Sequence, residues 1–352
     1  MSKDAIFETV FPLIQAPMAG VQGSALAIAV SNAGALGSLP AAMLSPDGLR
    51  DEIAAVAAAT ARPFNVNFFC HVPPAFDADR EARWRELLSP YYRELGIDPP
   101  PSQSTAGRAP FDHAAADVLE QFKPPVVSFH FGLPPAELLD RLRPWRPTII
   151  SSATTVAEAR WLEARGIDAI IAQGAEAGGH RGMFLSDDLT TQIGTFALVP
   201  QIARAVSVPV IAAGGIADAD GVAAAIALGA AAVQVGTAYL LCPEATTSRL
   251  HREALTSPHA THTALTNLFT GRPARSIVNR FIAELGPISP VAPAFPLAIG
   301  SVAPLRAKAE AAGSADFSPL WSGQNASGCR NVPAAELTRA LAARLPRGSV
   351  RS

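Results

Sequence analysis

The sequence predicts a single (β/α)8 barrel with a small helical lid domain, on three observations. Eight short apolar runs rich in Val and Ile recur from the amino terminus to about residue 241. Each is followed by Gly, Asn, Ser or His and then by an Ala-rich stretch of helical length, and the residues suited to chemistry gather at the ends of the runs. Such alternation signals βαβ units and a parallel sheet. In a closed barrel the active site is built from loops at the carboxyl ends of the strands.

The runs fall at residues 13–16, 34–39, 64–69, 126–131, 148–152, 169–172, 209–212 and 232–235. Helical segments at 45–60, 156–165 and 218–228 separate them, a pattern closer to a closed barrel than to an open dinucleotide-binding sheet. Residues 71–125, punctuated by PPAF, DPPPS and FKPP and carrying a helical piece at 79–92, read as a long excursion after the third strand. Residues 243–314, with the Pro-rich PISPVAPAFP, read as a small helical lid over the barrel mouth. A closing outer helix is expected at 334–345, so the barrel takes residues 1–242 and 315–352. No repeat of solenoid period is present.

Composition narrows the function classes. Of 352 residues, 49% are hydrophobic and only 16% charged, which supplies a large core and excludes a disordered chain. A net charge of -2, without a run of like charges, leaves no footprint for nucleic acid or an anionic membrane, so the expected partner is a small molecule. Cys70, Cys242 and Cys329 lie far apart, without zinc-knuckle or disulfide-framework spacing, which fits a reducing cytoplasm. The start does not read as a secretory signal, and no apolar run reaches the ~18 residues of a membrane span. The expectation is a soluble cytoplasmic protein, monomer or homodimer.

Chemistry-bearing residues sit in the expected loops. Gly214 and Gly215 follow the seventh strand, and Gly236 and Thr237 follow the eighth. Glycine lets backbone N–H groups approach a phosphate closely, and loops seven and eight are where barrels place one. After the sixth strand, QGAEAGGHRG sets His180 among glycines at the mouth. Its imidazole titrates near neutrality and can take and return a carbon-bound proton, which ranks it above His71, His130 and His259. Glu176 and Arg181 flank it and could orient it or bind an anion, or could simply be solvated.

Asn67 alternates with apolar positions at a strand end, so its amide points into the mouth, where it would suit the donor–acceptor edge of a flavin or satisfy local backbone. The late loop 320–325 could return to cover a ring, although Trp321 by itself reads as packing. No G-x-G-x-x-G with a following acid, no serine-hydrolase motif and no Walker motif is present.

Taken together, QAPM, SNAG, NVNFFCH, VSFHFG, AQGAEAGGHRG, AAGGI, QVGTAYLLCPE and WSGQ, in this order over nearly the whole chain, resemble the bacterial class I nitronate monooxygenase family, once called 2-nitropropane dioxygenases. The resemblance implies an FMN barrel with cofactor contacts at Met18, Asn67, Gln173, Gly178, Gly179, Gly214, Gly215, Gln234, Val235, Gly236 and Thr237, and His180 as catalytic base. It implies oxidation of an alkyl nitronate such as propionate 3-nitronate, with O2 reoxidising the flavin and nitrite and a carbonyl compound as products. Some relatives place tyrosines and a lysine round the nitronate. This chain has only Tyr91, Tyr92 and Tyr239, and an apolar Pro-rich stretch at 295–304, which points to a more hydrophobic pocket. Two other readings use the same loops: an FMN-dependent NAD(P)H reductase of quinones or enoyl thioesters, and a flavin-free barrel lyase or isomerase.

Overall fold

In the computed structural model, which describes residues 6–101 and 108–345, the apolar runs form one parallel sheet that closes on itself. In chain order the elements are β1 (Leu13–Gln15), α1 (Ser24–Asn32), β2 (Gly37–Pro40), α2 (Pro46–Ala59), β3 (Phe64–Phe69), α3 (Ala78–Leu95), α4 (His113–Phe122), β4 (Val126–His130), α5 (Ala136–Leu142), β5 (Thr148–Ala153), α6 (Val156–Glu163) and β6 (Ala169–Gln173). The second half adds β7 (Gly179–His180), α7 (Thr195–Ala205), β8 (Val210–Ala213), α8 (Ala219–Ala227), β9 (Ala232–Val235), α9 (Arg249–Thr256), β10 (Thr263–Thr266), β11 (Ala274–Ile277), α10 (Arg280–Leu285), α11 (Ala298–Ala311) and α12 (Ala334–Leu341).

The sheet runs β1-β9-β8-β6-β5-β4-β3-β2. A parallel bridge between Ile14 and Leu36 joins its two ends, so the (β/α)8 barrel read from the sequence is the observed fold. Each strand is buried on both faces, as a parallel sheet covered by helices requires, and residues two apart point the same way. Ile14, Ile150, Ala169, Ile171, Ile211 and Ala232 therefore fill the barrel interior with Phe7. Leu13, Ile170, Ala172, Val210, Val233 and Val235 pack outward with α1, α6, α7, α8 and α12.

Two stretches differ from expectation. Residues 71–125 hold two helices with different duties. Helix α4 packs on α2 and α5 and is the barrel's own outer helix, whereas α3 packs on α11. Residues 243–314 are only partly helical: β10 and β11 form an antiparallel hairpin, and β11 pairs with β7. Its Thr-rich and β-branched runs are short, and the strand signal there comes from partners distant in sequence.

Trp84, Leu88, Tyr91 and Tyr92 of α3 join Phe269, Phe281, Leu305 and Phe317 in a second core. Tyr91 donates to Glu284 at 2.8 Å, Tyr92 to the Ser301 carbonyl, and Tyr239 shares a hydrogen bond with Thr338, so all three tyrosines are committed to packing. No helix among the described residues is long and apolar enough to cross a membrane.

Close helix–strand approach makes one glycine indispensable. A Cβ on Gly37 would stand 2.0 Å from the Ala27 carbonyl oxygen of α1, and backbone cannot yield as a side-chain tip can. Gly37→Ala should lower unfolding stability by about 3 kcal/mol. An unchanged urea midpoint would refute this.

Candidate active site

The inward-facing row of each strand continues to the carboxyl-end mouth, where its last residues turn polar. After Ile171 comes Gln173, after Ala232 comes Gln234, after Ile150 comes Ser152, and β3 and β4 end on Asn67, Phe69 and His130. All of these line one cleft. Counted out to its open mouth, with the solvent there included, the cleft encloses about 1300 Å3.

One end of the cleft is backbone. Gly214, Gly215 and Ile216 follow β8, and Gly236 and Thr237 follow β9. Among the described residues no protein acceptor takes the N–H of any of the five. Gly214 and Gly215 hold φ of +119° and +72°, which bends successive amides inward and favours glycine. The 320–325 loop closes this end. Gly323 N–H donates to Thr237 Oγ1 at 2.9 Å, and Asn325 Nδ2 donates to the Gly215 carbonyl at 3.1 Å. A Cβ on Gly178 would lie 2.5 Å from Gly323 N, so Gly178 is where that loop packs. Gly179, with φ of +70°, has open space beside it.

Met18 lines the wall near Gly236, its N–H held by Gln22 Oε1. Asn67 Nδ2 donates to Ser128 Oγ at 2.9 Å, and Gln234 Oε1 is buried without a partner among the described residues.

His180 stands at the other end. Strand β7 fixes its backbone against Ala274 of β11. Its carbonyl accepts from Gln173 Nε2 at 3.0 Å and pairs with His130 Nε2 at 3.1 Å. Because a carbonyl only accepts, His130 carries its proton on Nε2, and its Nδ1 accepts from the Ser152 hydroxyl at 2.6 Å. The His180 Nε2 meets Thr270 Oγ1 at 2.9 Å. Phe69, Phe131, Phe295 and Trp321 surround the imidazole with ring centroids 5.3–6.1 Å away. Burial, then the nearness of Arg108, His130, Arg272 and His71, each disfavouring a positive charge on this ring, holds the His180 pKa well below 6.5. The ring is neutral at pH 7, the state in which it can accept a proton.

This architecture is shared with known proteins. A family model for nitronate monooxygenase matches residues 1–343. The chain belongs to the nitronate monooxygenase family. It is 45% identical over 335 residues to a nitronate monooxygenase of Paraburkholderia phytofirmans, covering 94% of this chain and 91% of the relative. It is 44% identical to one of Pseudomonas aeruginosa, covering 94% and 95%. Among solved structures, a nitroalkane oxidase from Streptomyces ansochromogenes superposes with a TM-score of 0.88 at 42% identity over 96% of both chains. FabK from Thermotoga maritima superposes at 0.67 with 28% identity, over 96% of this chain and 93% of its own. The chain is accordingly an oxidoreductase.

Within the nitronate monooxygenase fold the structure brings most of the expected residues together. Met18, Asn67, Gln173, Gly178, Gly179, His180, Gly214, Gly215, Gln234, Gly236 and Thr237 all line the cleft. Val235 does not. It lies on the outward row, its side chain in the core and its carbonyl accepting from Ala16 N at 2.8 Å. Gln173 reaches the cleft, but both ends of its amide are engaged, Nε2 on the His180 carbonyl and Oε1 on Gly182 N–H, so it clamps the His180 loop.

The two flanking charges are structural. Glu176 accepts from Thr195 N and Oγ1 at 2.8 and 2.9 Å, anchoring the start of α7. Arg181 is fully buried, donating to the carbonyls of Gln173 and Gly174 at 2.7 Å each and to Gln192 Oε1 at 3.0 Å. Neither touches the imidazole. Removing a charged donor that satisfies buried carbonyls costs on the order of 3 kcal/mol. Arg181→Met should therefore lower the melting temperature while leaving KM of the folded enzyme unchanged, and a raised KM at unchanged stability would return Arg181 to the site.

Sequence reasoning missed Thr270, His130, Ser152, Arg108 and His251. The inward parity shared with Ile150 and Val126 would have found Ser152 and His130. Thr270, Arg108 and His251 lie outside the barrel strands, where no periodicity points to the mouth. His251 Nε2 holds the Trp321 carbonyl at 3.1 Å, seating that ring beside His180.

Proposed function

We propose that this enzyme oxidises alkyl nitronates, with propionate 3-nitronate as the representative substrate, using FMN bound in the cleft and O2 to reoxidise it, and releasing nitrite and a carbonyl compound, in the cytoplasm as a monomer or homodimer. The observation that carries the reading is the single cleft joining five unpartnered backbone N–H groups at one end to His180 at the other. The residues fit FMN. The N–H cradle suits its phosphate, the buried Gln234 Oε1 offers an acceptor to a ring N–H, and among the described residues no Asp or Glu lines the cleft to repel an anion. FMN, when bound, supplies the electron acceptance that side chains here lack.

The chain's own residues do the rest. Gly214, Gly215, Ile216, Gly236 and Thr237 bind and orient, and Asn67 and Met18 wall the ring. Phe69 and Trp321 keep water from the reacting carbon, and His180 takes the carbon-bound proton of a neutral nitroalkane. Among the described residues Arg108 is the one Arg or Lys on the lining. The Phe111 N–H bond to the Phe69 carbonyl sets its segment beside the end of β3, where it offers the substrate carboxylate a charge-assisted partner. Residues 243–314 contribute Thr270 and His251 and serve as the lid.

The test is an anaerobic stopped-flow spectrum of FMN-loaded protein mixed separately with propionate 3-nitronate and NADH. Rapid bleaching by the nitronate is expected. Bleaching by NADH alone would replace this reading with the NAD(P)H-dependent reductase. A colourless protein that cannot be reconstituted would point to the flavin-free lyase or isomerase.

A further inference from the structure

His180 has two ring nitrogens, and only one can face substrate as a base. Its Nε2 meets Thr270 Oγ1 at 2.9 Å, and Thr270 is 3% exposed. Among the described residues Nδ1 has no hydrogen-bond partner, yet it is not among the atoms sealed from the cleft.

The turn carrying Thr270 is locked. Gly271 holds φ of +88°, and a Cβ on it would stand 2.0 Å from the Pro293 carbonyl. Within this turn Thr270 Oγ1 faces both the N–H and the carbonyl of Arg272 at 3.4 Å. With the hydroxyl proton directed to that carbonyl, the oxygen's remaining lone pair faces Nε2, which must then carry the hydrogen. The charged and titratable groups around the ring are Arg108, His130, Arg272 and His71. No carboxylate is among them.

We infer that Thr270 is a positioning residue that fixes His180 as the Nε2–H tautomer and thereby makes Nδ1 the proton-accepting atom. A neutral orienting hydroxyl suits this task. A carboxylate in its place would favour imidazolium and remove the free lone pair at neutral pH, whereas threonine sets the tautomer and leaves the ring uncharged. The inference rests on the reading of His180 as base, and its test separates the two.

The measurement is the 15N spectrum of FMN-loaded enzyme labelled at histidine, with the His180 signals assigned by their loss in His180→Asn. In the wild type, Nδ1 should show the shift of an unprotonated ring nitrogen and Nε2 that of a protonated one. Thr270→Ser should keep that pattern, and Thr270→Val should collapse it to a tautomer mixture. In parallel, Thr270→Val should lose about 10–100-fold in kcat/KM on 1-nitropropane and less than about threefold on propyl 1-nitronate, with Thr270→Ser restoring the first. Protonated Nδ1 in the wild type would overturn the inference even if nitronates are oxidised, as would equal losses on the two substrates in Thr270→Val. Should Thr270→Val fail to fold, the wild-type and Thr270→Ser spectra still decide. A correct wild-type spectrum without turnover of either substrate would sink the proposed function and leave the tautomer assignment standing.

Discussion

Replacing His180 with Asn should lower kcat/KM on a neutral nitroalkane by about 10²–10⁴-fold while leaving a preformed nitronate within about tenfold. The two substrates differ by one carbon-bound proton, and only the first needs a base to remove it. Asn retains a polar group near Thr270 and a similar volume within the ring of Phe69, Phe131, Phe295 and Trp321, but it has no basic lone pair. Steady-state kinetics on both substrates, with flavin content measured by absorbance, checks this. Equal losses at full flavin content would remove His180 from proton transfer and leave it a wall of the pocket. The depressed pKa adds a signature: because burial keeps the ring neutral far into acid, the nitroalkane rate should not fall as pH drops from 7.5 through 6.5 on account of this group.

Stability should fall steeply over the same acid range in which the folded protein keeps His180 uncharged. His130 is pushed down to about 3 and His251 to about 4, each chiefly by burial, and His180 is depressed in the same way. His71 follows, to about 4. As pH falls below the unfolded value of ~6.5, the unfolded chain takes up protons that the folded chain refuses. Stability contributed by each neutral histidine is therefore complete above ~6.5 and is lost towards its folded pKa. The slope is about 1.4 kcal/mol per pH unit for each such group. His130, His180 and His251 together give on the order of 4 kcal/mol per unit, a large share of the ~5–15 kcal/mol of a typical domain. Urea midpoints should hold from pH 7.5 to about 6.5 and then drop continuously to pH 5, and His251→Gln should flatten the curve. A midpoint constant across that range would show that the histidines protonate in place.

The barrel itself was legible because its signal is local and repeated. Each apolar run, such as 64–69 or 232–235, carries its own strand propensity, and closure follows from eight of them in βαβ order. The glycine pair after β8 was legible because a left-handed backbone at Gly214 and Gly215 is written in the residue type. His180 stood out by its glycine-flanked loop. The fold of residues 243–314 was less legible, since the β10–β11 hairpin gains its third strand from residues 179–180, about ninety positions away.

What the sequence by itself determined is the barrel, the glycines that shape the backbone end of the cleft and the placing of His180 at its mouth, each a consequence of local propensity and two-residue alternation. Tertiary structure alone decided that Glu176 and Arg181 serve the scaffold, that Val235 faces the core, that Tyr91, Tyr92 and Tyr239 stay out of the cleft, and that Thr270 meets Nε2 across ninety residues of chain. The physical reason is one of range. A backbone conformation or a face of a strand is set within a few residues, but the partner of a polar atom is set by whichever distant segment the packed core brings within about 3 Å.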